Sequence, residues 1–417
     1  MTILVRNALI KDINSTFHNK SVDLLISNGI ITEIAQNIKA KADHIIEFEH
    51  LHVSPGWVDL FVSGTDPGYE HKDSLHSIAA ASAQGGFTHV LLTPNSKPVV
   101  QNKTGVHYIT DHQHAFPVNL HPIGAITKNT EGKELTEMVE MKTTGALAFS
   151  DGSKPVQSSG LMIKALQYVK AFNGLIIQLP EDQSVAPNGQ MNEGIVSTQI
   201  GLPGKPALSE DIMVSRDIEL AQYTDSKLHL TGVTTQKSID TIRKAKQAGI
   251  NVTVSATPHH LYFAETDLID YDTNLKVNPP LRTNSERLAL IESVKNGDID
   301  CISSHHTGQN LDLKNCEFEY AAAGMVGLES AFGVLGILNI DIDKILELIC
   351  VNPRKIVNLN NTIEVGSTAD LTLFNPTIEY EFLAATIKSK SSNTPFIGKK
   401  LKGKVLGTIL NNNISLK

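Results

Sequence analysis

The chain has 417 residues, and its 36 Lys and Arg against 44 Asp and Glu give a net charge of −8. No run approaches about 18 apolar residues, which excludes a transmembrane helix, and an acidic chain with 5% aromatic residues lacks the basic footprint of nucleic-acid binding. The three cysteines form no CxxC pair, which argues against a disulfide framework and a cysteine-based zinc site. We therefore expect a globular cytoplasmic protein without membrane or nucleic-acid partners. Its 16 histidines are the unusual feature, and they suggest metal chemistry.

The predicted secondary structure changes near residue 55, from short strands to strands that alternate with helices. Residues 3–10, 22–26 and 30–35 are short apolar or alternating runs, which predict small strands and hairpins. After Ser54-Pro55-Gly56, apolar strands alternate with helical segments about eight times, which favours a parallel (β/α)8 barrel. An open doubly wound sheet is the alternative, weakened because no glycine-rich phosphate motif follows the first strand.

The far end of the chain returns to strands. Residues 331–360 have a helical pattern, and short strands follow them. We therefore predict two domains: a composite β-sandwich made from residues 1–54 and 363–417, and the barrel from residues 55–362.

The C-terminal ends of barrel strands are where catalytic side chains are expected. A catalytic zinc needs about three His, Asp or Glu ligands, but no predicted barrel strand ends in an HxH motif, and the sequence contains no HExxH motif. The first barrel strand ends at Ser63 without a histidine, and only Asp151 follows the fourth. His305 and His306 follow the last strand, where adjacent side chains on extended backbone point to opposite faces, so both cannot readily bind one ion. The ordinary interpretation of the remaining, scattered histidines is surface or hydrogen-bonded positions.

Several segments together resemble the dihydroorotase family from residue 3 to about residue 410. They include Pro55-Gly56-Trp57-Val58-Asp59-Leu60, Asp66-Pro67-Gly68-Tyr69-Glu70-His71-Lys72, Thr93-Pro94-Asn95, Phe149-Ser150-Asp151-Gly152, Thr257-Pro258-His259-His260-Leu261 and Lys276-Val277-Asn278-Pro279-Pro280-Leu281-Arg282. The resemblance implies an amidohydrolase-superfamily barrel and a link to pyrimidine synthesis, where the family interconverts carbamoyl-aspartate and dihydroorotate.

The resemblance also implies a site that this chain does not keep. The family's metal-centre positions fall at Phe61, Ser63, Asp151, Leu179, Gly232 and His305, and only Asp151 retains the family residue. His305 stands at the family's catalytic Asp, Thr65 at an Arg that holds a substrate carboxylate, and Gln309 at a substrate-contacting His. Asn95 and Asn278 match substrate-binding asparagines.

These replacements lead to a first hypothesis of a catalytically inactive homologue that needs no cofactor. The family includes inactive members that support aspartate transcarbamoylase, so the resemblance implies that enzyme as a partner, and we expect a homo-oligomer. A second hypothesis is an active cyclic-amide hydrolase with a rearranged zinc site, built from Asp151, His305 or His306 and perhaps Glu181 or Asp182. A third is a binding protein that senses a pyrimidine precursor through Asn95 and Asn278, although asparagine beside proline is also common in turns.

Overall fold

The computed structural model describes residues 1–417 and contains eighteen strands. In chain order the strands are β1 Thr2–Ile10, β2 Ser21–Ser27, β3 Ile30–Ala35, β4 His44–Ile46, β5 His52–Pro55, β6 Trp57–Val62, β7 Phe87–Leu92, β8 Asn119–Gly124, β9 Ala148–Phe149, β10 Leu175–Gln178, β11 Met191–Asn192, β12 Gly204–Lys205, β13 Lys227–Thr231, β14 Val252–Ala256, β15 Cys301–Ile302, β16 Asp370–Glu381, β17 Lys400–Leu410 and β18 Asn413–Leu416.

Twelve α-helices accompany them. They are α1 Leu75–Gly85, α2 Lys103–Thr110, α3 Met138–Thr144, α4 Ser159–Lys170, α5 Ile195–Ile200, α6 Leu208–Thr224, α7 Gln236–Gln247, α8 Pro258–Tyr262, α9 Asn284–Asn296, α10 Ala331–Ile337, α11 Ile342–Leu346 and α12 Asn352–Val357. None of the helices combines the length and the apolar character required to cross a bilayer.

Eight parallel strands form the predicted barrel, in the order β6, β7, β8, β9, β10, β13, β14 and β15. Every residue of β6 and β7 is buried, as expected for parallel strands covered on both faces. The first and last strands meet through the segments at their ends: Ser304 N–H donates to Asp59 Oδ2 at 2.8 Å, and Ser63 N–H donates to the His306 carbonyl at 2.9 Å. The barrel prediction is confirmed, and the open doubly wound alternative is wrong.

A second sheet takes its strands from both ends of the chain, in the order β18, β17, β16, β5, β1, β2 and β3, with β4 paired to β1. The predicted N-terminal hairpins are present, since β1 pairs antiparallel with β2 and β2 with β3. One continuous cluster of 18 buried apolar residues, from Ile3 to Ile409, lies against this mixed sheet. Both termini therefore contribute to one core, while the domain boundaries at residues 54 and 363 stay a prediction.

A buried junction joins this sheet to the N-terminal end of the barrel. The Trp57 ring packs against Phe87, Phe332 and Phe374 at centroid distances of 4.7–6.0 Å, and its indole N–H donates to Ser54 Oγ at 3.0 Å. Beside it, Arg354 pairs with Asp370, whose carboxylate also lies 3.0 Å from His89 Nε2. These contacts hold β16 against the barrel and leave the opposite, C-terminal end free for a site.

Candidate functional site

Two cavities lie at the C-terminal ends of the barrel strands. The inner cavity, of about 120 Å³, is lined by residues that include Phe61, Leu179 and His305. The outer cavity, of about 520 Å³, is lined by residues that include Ser63, Thr65, Asn95 and Gln309. The two share Phe61, Ser153, Thr307 and Ala323, so they form one concavity. The structure thus brings together most of the positions that the sequence singled out, whereas Asp151 and Gly232 line neither cavity.

Phe61 contributes an apolar side chain to the wall of both cavities. Its ring lies 4.7 Å from the His305 ring, centroid to centroid, with 36° between the two planes. The turn behind it is fixed by Asp59, whose two carboxylate oxygens accept the N–H groups of Phe61 at 3.0 Å and Ser304 at 2.8 Å. Burial raises the pKa of Asp59. The strand end therefore presents a phenyl ring rather than a metal-binding side chain.

His305 is held by a chain of buried hydroxyl groups that the sequence did not reveal. Its Nε2 lies 2.7 Å from Thr231 Oγ1, which lies 2.9 Å from Ser255 Oγ, and that hydroxyl lies 3.1 Å from His229 Nε2. Burial lowers the pKa of His305 to about 3, so the ring is neutral at physiological pH. His305 is therefore a buried, hydrogen-bonded histidine.

Gly232 lies directly against that ring. A Cβ atom added at Gly232 would lie 2.6 Å from His305 Cε1, which is closer than real Cβ contacts. The φ angle at Gly232 is +71°, a conformation that glycine adopts without a Cβ penalty. His305 thus occupies space that a side chain at position 232 would need.

His306 points away from His305, but the reason predicted from the sequence is wrong. Its Nε2 lies 3.3 Å from Asp73 Oδ2, and its Nδ1 accepts the Gly327 N–H at 3.3 Å. The backbone at His305 is left-handed, with φ +48°, rather than extended, so this turn and not strand alternation separates the two rings. His306 therefore connects the end of the last barrel strand to Asp73, which precedes α1, and to Gly327.

Asp151 is fully buried below the outer cavity. Its carboxylate accepts the Thr127 N–H at 2.9 Å and the Thr127 hydroxyl. Burial raises the pKa of this carboxyl to about 6, in opposition to those hydrogen bonds. Asn95 lies beside it, and its amide donates to the Asp151 carbonyl at 3.0 Å and accepts from Ser153 N–H at 3.3 Å. Asn95 therefore shapes the turn after β9.

The Asn278 side chain is also engaged by hydrogen bonds within the protein. Its amide donates to Glu181 Oε2 at 2.7 Å, and its carbonyl oxygen accepts from Lys205 Nζ at 2.9 Å. Lys205 also pairs with Glu181 at 2.8 Å. The substrate-binding roles of Asn95 and Asn278 stay predictions, since both amides are engaged by the protein itself.

Three lysines of the outer cavity were missed as site residues: Lys72, Lys97 and Lys154. Lys72 ends one of the segments that resemble the family, and Lys97 and Lys154 follow Asn95 and Asp151 by two and three residues. A search for cationic residues beside the strand-end motifs would have found them.

The metal-binding residue types are dispersed. No group of three or more His, Cys, Asp or Glu side chains in the structure could hold a metal ion.

The fold defines a class, a (β/α)8 barrel that carries a β-rich domain built from both ends of the chain and a concavity at the C-terminal ends of its strands. The structure superposes on L-hydantoinase (dihydropyrimidinase) from Arthrobacter aurescens with a TM-score of 0.87 at 20% identity, over 100% of this chain and 96% of that chain. A D-hydantoinase crystal structure gives 0.85 at 20% identity, over 100% and 95%.

Sequence similarity narrows the class to a family. Residues 51–238 match the family model described as dihydro-orotase-like. The dihydroorotase of Acetivibrio thermocellus is 42% identical over 404 residues, 95% of each chain, and that of Geobacter metallireducens is 37% identical over 426 residues, 100% of each. The chain belongs to the dihydroorotase family, as the sequence motifs predicted.

Proposed function

We propose that this chain is a catalytically inactive dihydroorotase homologue that serves pyrimidine biosynthesis in the cytoplasm as a structural or regulatory partner of aspartate transcarbamoylase. One observation carries the proposal: Phe61 packs on His305 where the family resemblance places metal ligands, and His305 takes the space beside Gly232. A catalytic zinc needs about three nitrogen, sulfur or oxygen ligands, and the side chains at positions 61, 179 and 232 offer none. The residues present do not fit that ion.

The side chains that a rearranged site would recruit support the same proposal. Asp151 is bound by Thr127, His306 by Asp73 and backbone N–H groups, and Glu181 by Lys205 and Asn278. Recruiting any of them would leave a buried polar partner unsatisfied, at a cost of about 1–3 kcal/mol for each. An active hydrolase with a rearranged zinc site is therefore the weaker proposal, and so is sensing of a pyrimidine precursor through Asn95 and Asn278.

The purified protein is expected to contain far less than one zinc per chain and to leave dihydroorotate unchanged, because no group of ligands would hold the ion that activates water. Elemental analysis and an absorbance assay for dihydroorotate measure the two quantities. The Acetivibrio thermocellus dihydroorotase, purified without chelator in parallel, is the positive control. Stoichiometric zinc together with turnover that a chelator abolishes would establish the rearranged site instead.

The proposed partnership with aspartate transcarbamoylase, like the proposed homo-oligomer, rests on the family resemblance. Ile195, Leu311 and Tyr320 are large apolar side chains that are 76, 74 and 75% exposed, so they are the first positions to substitute when a contact is mapped.

Mixing the protein with the transcarbamoylase of the same organism is expected to shift both to earlier elution in size-exclusion chromatography and to change transcarbamoylase activity. An unrelated protein of similar mass is the control for non-specific association. Separate elution with unchanged transcarbamoylase activity would rule the partnership out.

A further inference from the structure

Two loop segments that follow barrel strands pack against each other and form one surface on the outside of the protein. Residues 265–276 follow α8, and residues 311–320 follow β15. The Lys314 ammonium donates to the Thr273 carbonyl at 2.8 Å, and the Thr273 hydroxyl donates to the Lys314 carbonyl at 2.6 Å. Both segments also contribute side chains to one buried apolar cluster. The two segments therefore hold a fixed position relative to each other.

The surface that these two segments form is acidic, and we call it the acidic surface. Its exposed or half-exposed carboxylates form no salt bridge within the protein, and they belong to Asp267, Asp270, Asp272, Asp312, Glu317 and Glu319. The two lysines of the segments, Lys276 and Lys314, are buried and donate to the Phe318 and Thr273 carbonyls. Lys390, in the cleft beside the surface, is exposed and donates to a backbone carbonyl. Unpaired carboxylates of this kind attract cationic groups.

Large apolar side chains stand among these carboxylates. Leu311 and Tyr320 are 74 and 75% exposed, and Ile269 and Tyr271 are 51 and 45% exposed. The Tyr271 hydroxyl donates to the Ile200 carbonyl at 2.7 Å, which fixes the ring against the end of α5. Tyrosine is enriched among the residues that carry most of the binding energy at protein interfaces. The acidic surface thus combines unpaired charge with side chains that gain from being covered.

The sign of the charge selects among the possible occupants. In a two-fold contact a second copy of the chain would bring the same carboxylates against this surface, and like charges in contact are unfavourable. A membrane surface carries anionic lipids and would be repelled in the same way. A protein face rich in Lys and Arg is attracted instead, and its apolar side chains can cover Leu311 and Tyr320.

We propose that the acidic surface docks a face of aspartate transcarbamoylase on which Lys and Arg surround apolar side chains, with Leu311 and Tyr320 as the apolar anchors. The inference rests on the proposed function for the identity of the partner, and it adds the place and the chemistry of the contact. It also places the partner beside the outer cavity, since residues 311–320 lie between Gln309 and Ala323, which line that cavity.

Calorimetric titration of the full chain with the transcarbamoylase of the same organism tests the site. Tyr320→Ala is expected to raise the dissociation constant at least about 10-fold, as for an interface hot spot. The double variant Asp312→Lys, Glu317→Lys is expected to raise it about 10-fold or more, because it repels a basic face. Raising the salt concentration from about 0.05 to about 0.5 M is expected to weaken the unsubstituted complex, since salt screens exposed charges. All three side chains are exposed, so the variants are expected to fold.

Matched controls separate the site from general effects of the substitutions. Tyr223→Ala is the control for the aromatic change, because Tyr223 is 74% exposed on α6, outside the acidic surface. The double variant Glu33→Lys, Glu364→Lys is the control for the charge change, because both carboxylates are exposed, on β3 and just before β16. Both controls are expected to bind like the unsubstituted protein.

The outcomes distinguish the docking site from the proposed function. A complex that the Tyr320 and Asp312, Glu317 variants form as tightly as the controls would overturn the docking site and leave the partnership intact. Absence of any complex would overturn both the docking site and the partnership. Zinc content and dihydroorotate turnover test catalytic inactivity independently of either result.

Discussion

Lowering the pH from about 7.5 to about 5.5 is expected to reduce the free energy of unfolding by about 3–4 kcal/mol. The cause is a set of histidines that the fold buries in the neutral form. Burial lowers the pKa of four rings to values of about 3 or 4, against 6.5 for a free side chain: His121, His229, His260 and His305. In the unfolded chain these rings take up protons as the pH falls through 6.5, while the folded chain excludes them. The contribution of these histidines to the free energy of unfolding is therefore fully present above pH 6.5. It is lost progressively as the pH falls from 6.5 toward the folded-state pKa values of about 3 or 4.

Each such histidine contributes a loss of about 1–2 kcal/mol at pH 5.5. Buried carboxyls oppose this loss in part. Burial raises the pKa of Asp151 and Asp217 to about 6, so the folded chain takes up protons there before the unfolded chain does. Each of these two groups regains about 1 kcal/mol at pH 5.5. Asp59 acts in the same direction, and His259, a fifth buried histidine whose pKa is lowered well below 6.5, acts against it. The histidines outnumber these carboxyls, so the net effect of acid is destabilising.

Urea denaturation at the two pH values measures the loss, and His229→Gln isolates one of its sources. His229 is fully buried between Thr253 Oγ1 at 2.9 Å and Ser255 Oγ at 3.1 Å, and a glutamine amide offers hydrogen bonds to the same hydroxyls. The variant is expected to lose about 1–2 kcal/mol less than the parent between the two pH values. His44→Gln is the control, because His44 is exposed on β4 and its ring is solvated in both states. Equal pH dependence in all three proteins would contradict the assignment to buried histidines.

The barrel could be predicted from the sequence, because its strands and helices produce a repeating pattern of apolar residues along the chain. Parallel strands buried on both faces appear as short apolar runs, and their alternation with helices indicates the barrel. The β-rich ends were also predictable, since β1 to β3 are short apolar or alternating runs separated by Asn, Ser and Gly. These features are local along the chain, so they need no knowledge of distant contacts.

The site was less predictable, because its contacts join residues far apart in sequence. The hydroxyl chain from His305 to His229 connects β13, β14 and the end of β15. The left-handed backbone conformation at His305 could not be predicted from the residue type alone. The histidine excess suggested metal chemistry, but several of these rings are neutral core residues whose main consequence is sensitivity to acid.

The contact between Gly232 and His305 gives the second large expected effect. Gly232→Ala is expected to reduce the free energy of unfolding by about 2–4 kcal/mol, from the strain of φ +71° and from the overlap of the new Cβ with the His305 ring. Gly201 provides a matched control, since its φ is also +71° and an added Cβ there meets nothing within 4 Å. Gly201→Ala is expected to cost about 1 kcal/mol, the strain alone.

The double variant Gly232→Ala, His305→Ala separates overlap from strain. With the imidazole removed, the alanine at position 232 no longer meets a ring atom, so its additional cost is expected to fall to that of Gly201→Ala. The coupling energy of this double-mutant cycle, from urea denaturation at about pH 7.5, is then about 1–3 kcal/mol. A coupling energy near zero would mean that His305 does not occupy the space beside Gly232. In that case a ligand could return at position 232 without displacing His305, and the main observation behind the inactive-homologue proposal would fail.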